Sequence, residues 1–204
     1  MRARLRTTLA TTVAVLTFGS TMLARWPAPA ATDQTAAFVS DLVTILDFQR
    51  RVDDYVRLHR TLEQSLPPLR PTRNIAEVQQ MVAALAMRIR MARPDARQGD
   101  IITPDAGRLF RRSIRTCLPP DTWRAILADL DEDMEEPAGP VGLAANTRWP
   151  DAVPYSFMPP QLLRVLPPLP PELQYRIIGR SLVLWDHHAD LIVDILEGAF
   201  AETT

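Results

Sequence analysis

The sequence predicts an α+β fold that is mostly helical, with a C-terminal antiparallel β-hairpin or small sheet. Apolar residues recur at three- and four-residue steps through much of the chain, as on the buried faces of amphipathic helices. Near the C-terminus, β-branched and aliphatic residues flank a short polar break, as they do in two paired strands. Helices followed by strands in this order are typical of helices packed on a small antiparallel sheet.

The first predicted helix runs from about residue 36 to residue 65. The string Leu66-Pro67-Pro68 ends it, because proline lacks an amide proton and disfavours the helical conformation at the preceding residue. We interpret the later proline strings, Leu-Pro-Pro at 118–120 and Leu-Pro-Pro-Leu-Pro-Pro at 166–171, as helix ends in preference to polyproline segments that partner domains recognise. One face of the first helix is expected to be buried, with Phe38, Leu42, Ile45, Phe48, Val52, Tyr55, His59 and Leu62.

Three further helices are predicted from capping signals. Asn74 is the predicted N-cap of a second helix, which Pro94 is expected to kink or end. Thr103-Pro104-Asp105 supplies an N-cap, a proline in the first turn and an acid near the positive helix end. Asp121 or Thr122 can cap a short fourth helix. The expected buried positions are Ile75, Val78, Met81, Val82, Leu85 and Ile89 in the second helix, Leu109, Phe110, Ile114 and Cys117 in the third, and Trp123, Ile126, Leu127 and Leu130 in the fourth.

Residues 135–157 contain prolines, glycines and Asn146 without a helical or strand period, so a loop is predicted there. Beyond it, the apolar runs 175–185 and 191–196 flank Asp186-His187-His188-Ala189-Asp190 and predict a hairpin. A helix over 189–201 is the competing interpretation, because short apolar runs are ambiguous by periodicity. We expect the hairpin to bury Leu182, Leu184, Ile192 and Ile195.

Residues 1–30 have the pattern of a secretory signal peptide. Arg2, Arg4 and Arg6 precede an uncharged apolar run, and Ala28-Pro29-Ala30 offers a small-x-small cleavage site. We therefore expect a single domain over 31–204 that is exported, either periplasmic or secreted. An uncleaved membrane anchor is the alternative, which the many threonines of the apolar run disfavour.

Charge and cysteine content exclude several kinds of chemistry. Cleavage after residue 30 removes four arginines, so 23 basic and 24 acidic residues become 19 and 24, a net charge of −5. An acidic exported chain argues against nucleic acid as a partner. Cys117 is the only cysteine, so the chain has no intramolecular disulfide, no CxxC zinc site and no haem-attachment motif, and we expect this thiol in the core.

Five side chains that can bind a metal lie within nine residues, in the predicted hairpin turn and the strand that follows it: Asp186, His187, His188, Asp190 and Asp194. Imidazole with carboxylate suits a divalent metal, and open coordination positions would activate water. A turn stabilised by local hydrogen bonds is the interpretation we favour for Asp186, His187, His188 and Asp190, because neighbouring strand residues point to opposite faces. His59 would complete a site if the first helix met the hairpin.

Arginines form a second candidate site, for anions. Arg90, Arg93 and Arg97 step by three and four residues along one predicted helical face, and Arg108, Arg112 and Arg115 do so along the next. The guanidinium group matches phosphate, anionic lipid head groups and acidic glycans. We favour the interpretation that these arginines pair with the acidic run at 129–136 or are simply solvated, because exposed charge runs are usually solvated faces.

The strings at 99–101, 175–176, 179–184 and 191–194, together with Asp186 and Ala189, resemble a family of uncharacterised exported bacterial proteins. The resemblance spans most of the mature chain and implies export from a bacterial cell, with no activity or cofactor attached. We expect an exported cell-envelope protein that acts as a binding or structural component. A metal-dependent hydrolase centred on segment 186–194 is the alternative, although the chain lacks GxSxG, HExxH, P-loop and GxGxxG motifs.

Overall fold

The computed structural model describes residues 30–68, 72–132, 143–150 and 158–201, so nearly all of the predicted signal peptide lies outside the described residues. The predicted α+β fold is confirmed. The helices are α1 (Ala30–Gln64), α2 (Ile75–Ala92), α3 (Pro104–Thr116), α4 (Pro120–Glu132) and α5 (Pro160–Leu163). The strands are β1 (Thr147–Arg148), β2 (Leu173–Ile178), β3 (Ser181–Asp186) and β4 (Leu191–Leu196).

Capping residues and prolines predict most helix ends to within a few residues of their positions in the structure. The Asn74 side chain caps α2 by accepting the amide of Ala76 at 3.0 Å, and Thr103 caps α3 by accepting the amide of Ala106 at 3.3 Å. The helix α1 ends just before Leu66-Pro67-Pro68, as predicted, but it begins six residues earlier than expected. The helix α4 begins at Pro120, one residue before the first of its two candidate caps.

The four strands form one antiparallel sheet in the order β1-β4-β3-β2. The predicted hairpin is confirmed as the pair β3–β4, and the competing helix over 189–201 is wrong because β4 pairs with a strand on each side. The apolar run 175–185 divides at Gly179, whose φ of +54° allows a second hairpin between β2 and β3. The predicted loop 135–157 contains the edge strand β1, and its segments 135–142 and 151–157 lie outside the described residues.

Both faces of the sheet are buried. Leu182 and Leu184 join the main core, which also contains side chains of the helices such as Phe48 and Ile114. Ile192 and Ile195 belong to a smaller cluster with Trp149 and other residues of the opposite face. All four predicted hairpin positions are therefore buried, as expected, but they belong to two different clusters. Because strand residues alternate between faces, burial of both faces explains why every residue of β4 is buried.

The predicted buried stripes of the first two helices are wrong at their N-terminal ends. Phe38 is 69% exposed and Leu42 is 45% exposed, so the packed part of α1 begins near Ile45 and Phe48. In α2 the first predicted position, Ile75, is exposed as well, while later ones are buried.

Among the helices that the structure describes, none is both long and apolar enough to cross a membrane.

Candidate functional site

The turn after β3 packs against the middle of α1, where Asp186 meets Tyr55 and His59. The carboxylate of Asp186 is completely buried. Its Oδ2 accepts the Tyr55 hydroxyl and faces Nδ1 of His59, each at 2.6 Å. Its Oδ1 accepts the backbone amides of His188 at 3.0 Å and Ala189 at 2.9 Å. One carboxylate therefore closes the turn and attaches it to the first helix.

The charges of this pair stabilise one another. Burial raises the pKa of Asp186, but the hydrogen bond and charge of His59 outweigh that effect and leave the pKa below its usual value. Burial lowers the pKa of His59, but the hydrogen bond and charge of Asp186, with Glu63 and Glu172, raise it above its usual value. Because an ionised carboxylate only accepts hydrogen bonds, Nδ1 of His59 carries a proton whether the ring is neutral or charged.

In the neutral ring the other nitrogen of His59, Nε2, carries no proton and can bind a ligand. Nε2 is buried and has no hydrogen-bond partner among the described residues. It lies 3.6 Å from Oε2 of Glu63, which follows one helical turn later on α1. The second oxygen of Glu63, Oε1, lies 3.6 Å from Nδ1 of His188 in the β3–β4 turn. The ligand atoms that these three residues offer all lie within 4.8 Å of one another.

The four predicted metal-binding residues of the turn are placed in different surroundings. His188 is the one that joins the group with His59 and Glu63. Nε2 of His187 lies 2.7 Å from the Pro171 carbonyl oxygen, and its ring lies against Trp185. Both oxygens of Asp186 accept hydrogen bonds from the protein, as described above.

Asp190 and Asp194 have protein partners of their own. The carboxylate of Asp190 accepts a hydrogen bond from Nε of Arg148 at 2.8 Å. Asp194 faces the turn before α3, where its oxygens accept the amides of Gly99, Ile101 and Ile102 at 2.7–2.8 Å. Burial raises the pKa of Asp194 above its usual value even though these amides oppose the shift. Asp194 therefore holds the turn at residues 99–102 against the sheet.

A cleft of about 640 Å³ lies between α2 and the end of the sheet. Arg90 is exposed in its lining and has no hydrogen bond or ion pair among the described residues. On the sheet side, the guanidinium of Arg148 is paired with Asp190. The lining comprises Val78, Gln79, Val82, Ala83, Ala86, Met87 and Arg90 of α2, with Arg148, Trp185, His187, Ala189, Asp190 and Leu191.

The predicted arginine stripe of the second helix is wrong, because α2 ends at Ala92. Arg93 is the C-cap, and its guanidinium lies over the Tyr55 ring at 5.1 Å from the centroid. Arg97 lies beyond the helix, in the turn that precedes α3. The three arginines therefore do not share one helical face, and Arg90 is the one of the three that lines the cleft.

The arginines of α3 are partly paired, but with acids other than those expected. Arg108 forms an ion pair with Asp105, and Arg112 forms one with Asp41 of α1 at 2.6 Å. Arg115 has no ion-pair partner in the described part of the chain. The side chains of the acidic run 129–136 lie outside the described residues.

Glu63 is the site residue that sequence analysis missed. The sequence indicates His59, and the His-x-x-x-Glu spacing places the side chains of His59 and Glu63 on one helical face, one turn apart. The same spacing is common in ordinary ion pairs of helices, as between Arg50 and Asp54 of α1, so it has little specificity without His188.

Comparisons with known proteins bring no match, whether to a family model, to a curated protein or to a solved structure. Function is therefore inferred from the cleft and from the group formed by His59, Glu63 and His188.

Proposed function

We propose that this protein is an exported binding component of the cell envelope whose α2 cleft takes a small amphiphile with an anionic head group. The observation that carries the proposal is Arg90, a cation without a protein partner among the described residues, in a cleft lined largely by apolar side chains. A binding role agrees with the function expected from the sequence. Of the arginines expected to bind anions, the proposal uses Arg90 alone.

The size and lining of the cleft suit a small molecule. Pockets for such ligands usually measure about 300–1,000 Å³ and combine apolar walls with a few polar groups. The cleft has about 640 Å³, with Val82 and Met87 on α2 and Leu191 on the sheet. Met87 is 58% exposed, so a hydrocarbon chain would remove its surface from water. Such burial stabilises a complex by about 25 cal/mol per Å² of apolar surface.

The charges of the lining select an anionic head group. Asp190 already neutralises Arg148, whereas Arg90 has no acidic partner in the described part of the chain. A carboxylate or phosphate can accept two parallel hydrogen bonds from a guanidinium group. An amphiphile with one such group would pair with Arg90 and place its chain against the apolar wall.

Titration of the purified protein with decanoate, decyl phosphate and decanol tests this function, with calorimetry as the readout. We expect saturable binding of the two anions, weakened about tenfold or more in Arg90→Gln, since a charged hydrogen bond contributes about 1.5–3 kcal/mol. Decanol binding should be the same in both proteins. The control is Arg115→Gln, which changes an α3 arginine outside the cleft and should bind like the wild type. Absence of anion binding, or equal losses in the two variants, would contradict the proposal.

Export has a separate test, because the cleft would bind its ligand in any compartment. N-terminal sequencing of the protein recovered from the cell envelope should find a start at or near Ala31. Recovery of an intact N-terminus in the membrane fraction would instead support the uncleaved anchor.

A further inference from the structure

We propose that His59, Glu63 and His188 form a binding site for a divalent transition metal such as zinc. The site uses none of the residues that line the cleft, so it is independent of the proposed amphiphile. It also differs from the metal site expected from the sequence, because His188 is its only residue from the β3–β4 turn.

His59 is oriented as a metal-binding histidine. Metal-bound imidazoles almost always donate their second ring N–H to a carboxylate or a carbonyl, which fixes the tautomer and the ring orientation. Here Nδ1 of His59 faces the buried Asp186 carboxylate at 2.6 Å. Nε2, completely buried and without a hydrogen bond among the described residues, points toward Glu63. A buried imidazole nitrogen without a partner is unfavourable, and a metal ion would satisfy it.

Asp186 holds both histidines. Its Oδ2 fixes the His59 ring, and its Oδ1 accepts the backbone amide of His188 at 3.0 Å. Tyr55 donates to Oδ2 and so helps to fix the carboxylate. We therefore assign Asp186 as a positioning residue, since both of its oxygens already accept protein donors.

The spacing of the ligand atoms suits one small ion. Glu63 lies 3.6 Å from each histidine nitrogen, through a different oxygen in each case. Ligand atoms about 2.0 Å from a tetrahedral zinc ion stand about 3.3 Å apart. With one oxygen of Glu63, the three ligand atoms lie within 4.8 Å of one another. Glu63 and His188 have side chains that are 47% and 40% exposed, so both can rotate to bring these atoms together while His59 stays fixed.

The donor set selects among metals. Two imidazole nitrogens with one carboxylate suit zinc and similar transition metals, whereas calcium and magnesium prefer oxygen ligands only. Three protein ligands leave a coordination position for water, which is the arrangement of catalytic zinc sites. The hydrolase predicted as an alternative would therefore be centred on this group.

The competing explanation is ionic: Glu63 would only pair with protonated His59 and His188. Metal titration of the chelator-treated full-length protein separates the two, using zinc calorimetry and the visible absorption of added Co²⁺. We expect about one equivalent of metal, with affinity reduced at least about tenfold in Glu63→Gln and in His188→Ala. His187→Ala is the matched control, because it removes the adjacent imidazole, which lies outside the group, and should retain wild-type affinity.

Three outcomes would overturn the proposal: no saturable zinc binding, an equal loss in His187→Ala, or full affinity in His188→Ala. Thermal melts of the variants without metal verify folding, and the exposure of Glu63 and His188 predicts small changes. The variant Arg90→Gln should bind zinc like the wild type, so failure of the amphiphile proposal leaves the metal site intact.

Discussion

The imidazole of His59 and the carboxylate of Asp186 lie 127 residues apart in the chain and meet at 2.6 Å, both completely buried. This contact joins the first helix to the last hairpin. It also fixes the ring whose second nitrogen faces Glu63. A buried carboxylate needs such partners, because burial of an unpaired charge costs several kcal/mol.

Replacement of Tyr55 by Phe should destabilise the fold by about 1.5–3 kcal/mol, because a buried hydrogen bond to a charged group is lost. Tyr175→Phe is the control, since its buried hydroxyl donates to the neutral Pro167 carbonyl at 3.0 Å. That loss should cost about 1 kcal/mol. Urea unfolding measures the loss of unfolding free energy in each variant. A loss in Tyr55→Phe that is no larger than the loss in Tyr175→Phe would contradict an ionised Asp186.

The stability that His59 contributes should depend on pH. Its folded-state pKa lies above the usual value of 6.5, so the contribution is complete below about pH 6.5 and is lost as pH rises through the folded-state pKa. Asp186 has a lowered pKa, so its contribution is present above its usual value of 3.8 and disappears as pH falls through the folded-state pKa. The difference in unfolding free energy between wild type and His59→Gln, measured with chelator, should decrease above pH 6.5. A difference that stays constant through neutral pH would contradict this assignment.

Asp194→Ala should destabilise the fold by at least about 3 kcal/mol, because the amides of Gly99, Ile101 and Ile102 lose their acceptors and each costs about 1–3 kcal/mol. Hydrogen exchange should increase first at residues 99–102. Asp95→Ala, an exposed carboxylate near the same turn, should change little. Unchanged exchange in Asp194→Ala would show that other groups hold the turn.

Ile192→Ala should cost about 2–5 kcal/mol, because the side chain is completely buried and its removal leaves a cavity. Met91→Ala, at a side chain that is 74% exposed, should stay within about 0.5 kcal/mol of the wild type. Thermal or urea unfolding compares the two. Equal destabilisation in Ile192→Ala and Met91→Ala would mean that the smaller cluster on the sheet contributes little to the stability of the fold.

Patterns within the sequence predicted the helices and the hairpin because caps, prolines and periodicity act over a few residues. Asn74 and Thr103 cap their helices as expected. The predictions that failed depend on distant contacts. Phe38 repeats the apolar spacing of Phe48, yet only Phe48 has partners in the core. The strand β1 is two residues long and exists because β4 offers it an edge.

The sequence by itself determined the α+β class, the main helix caps and the hairpin that carries Asp186. It also indicated His59 and His188 as candidates, without showing that they meet. Only the tertiary structure decided that Glu63 joins them, that Asp190 pairs with Arg148 and that Asp194 binds the turn at residues 99–102. The physical reason is that local signals depend on neighbours along one helix or turn, whereas a ligand set depends on how buried faces align elements far apart in the chain.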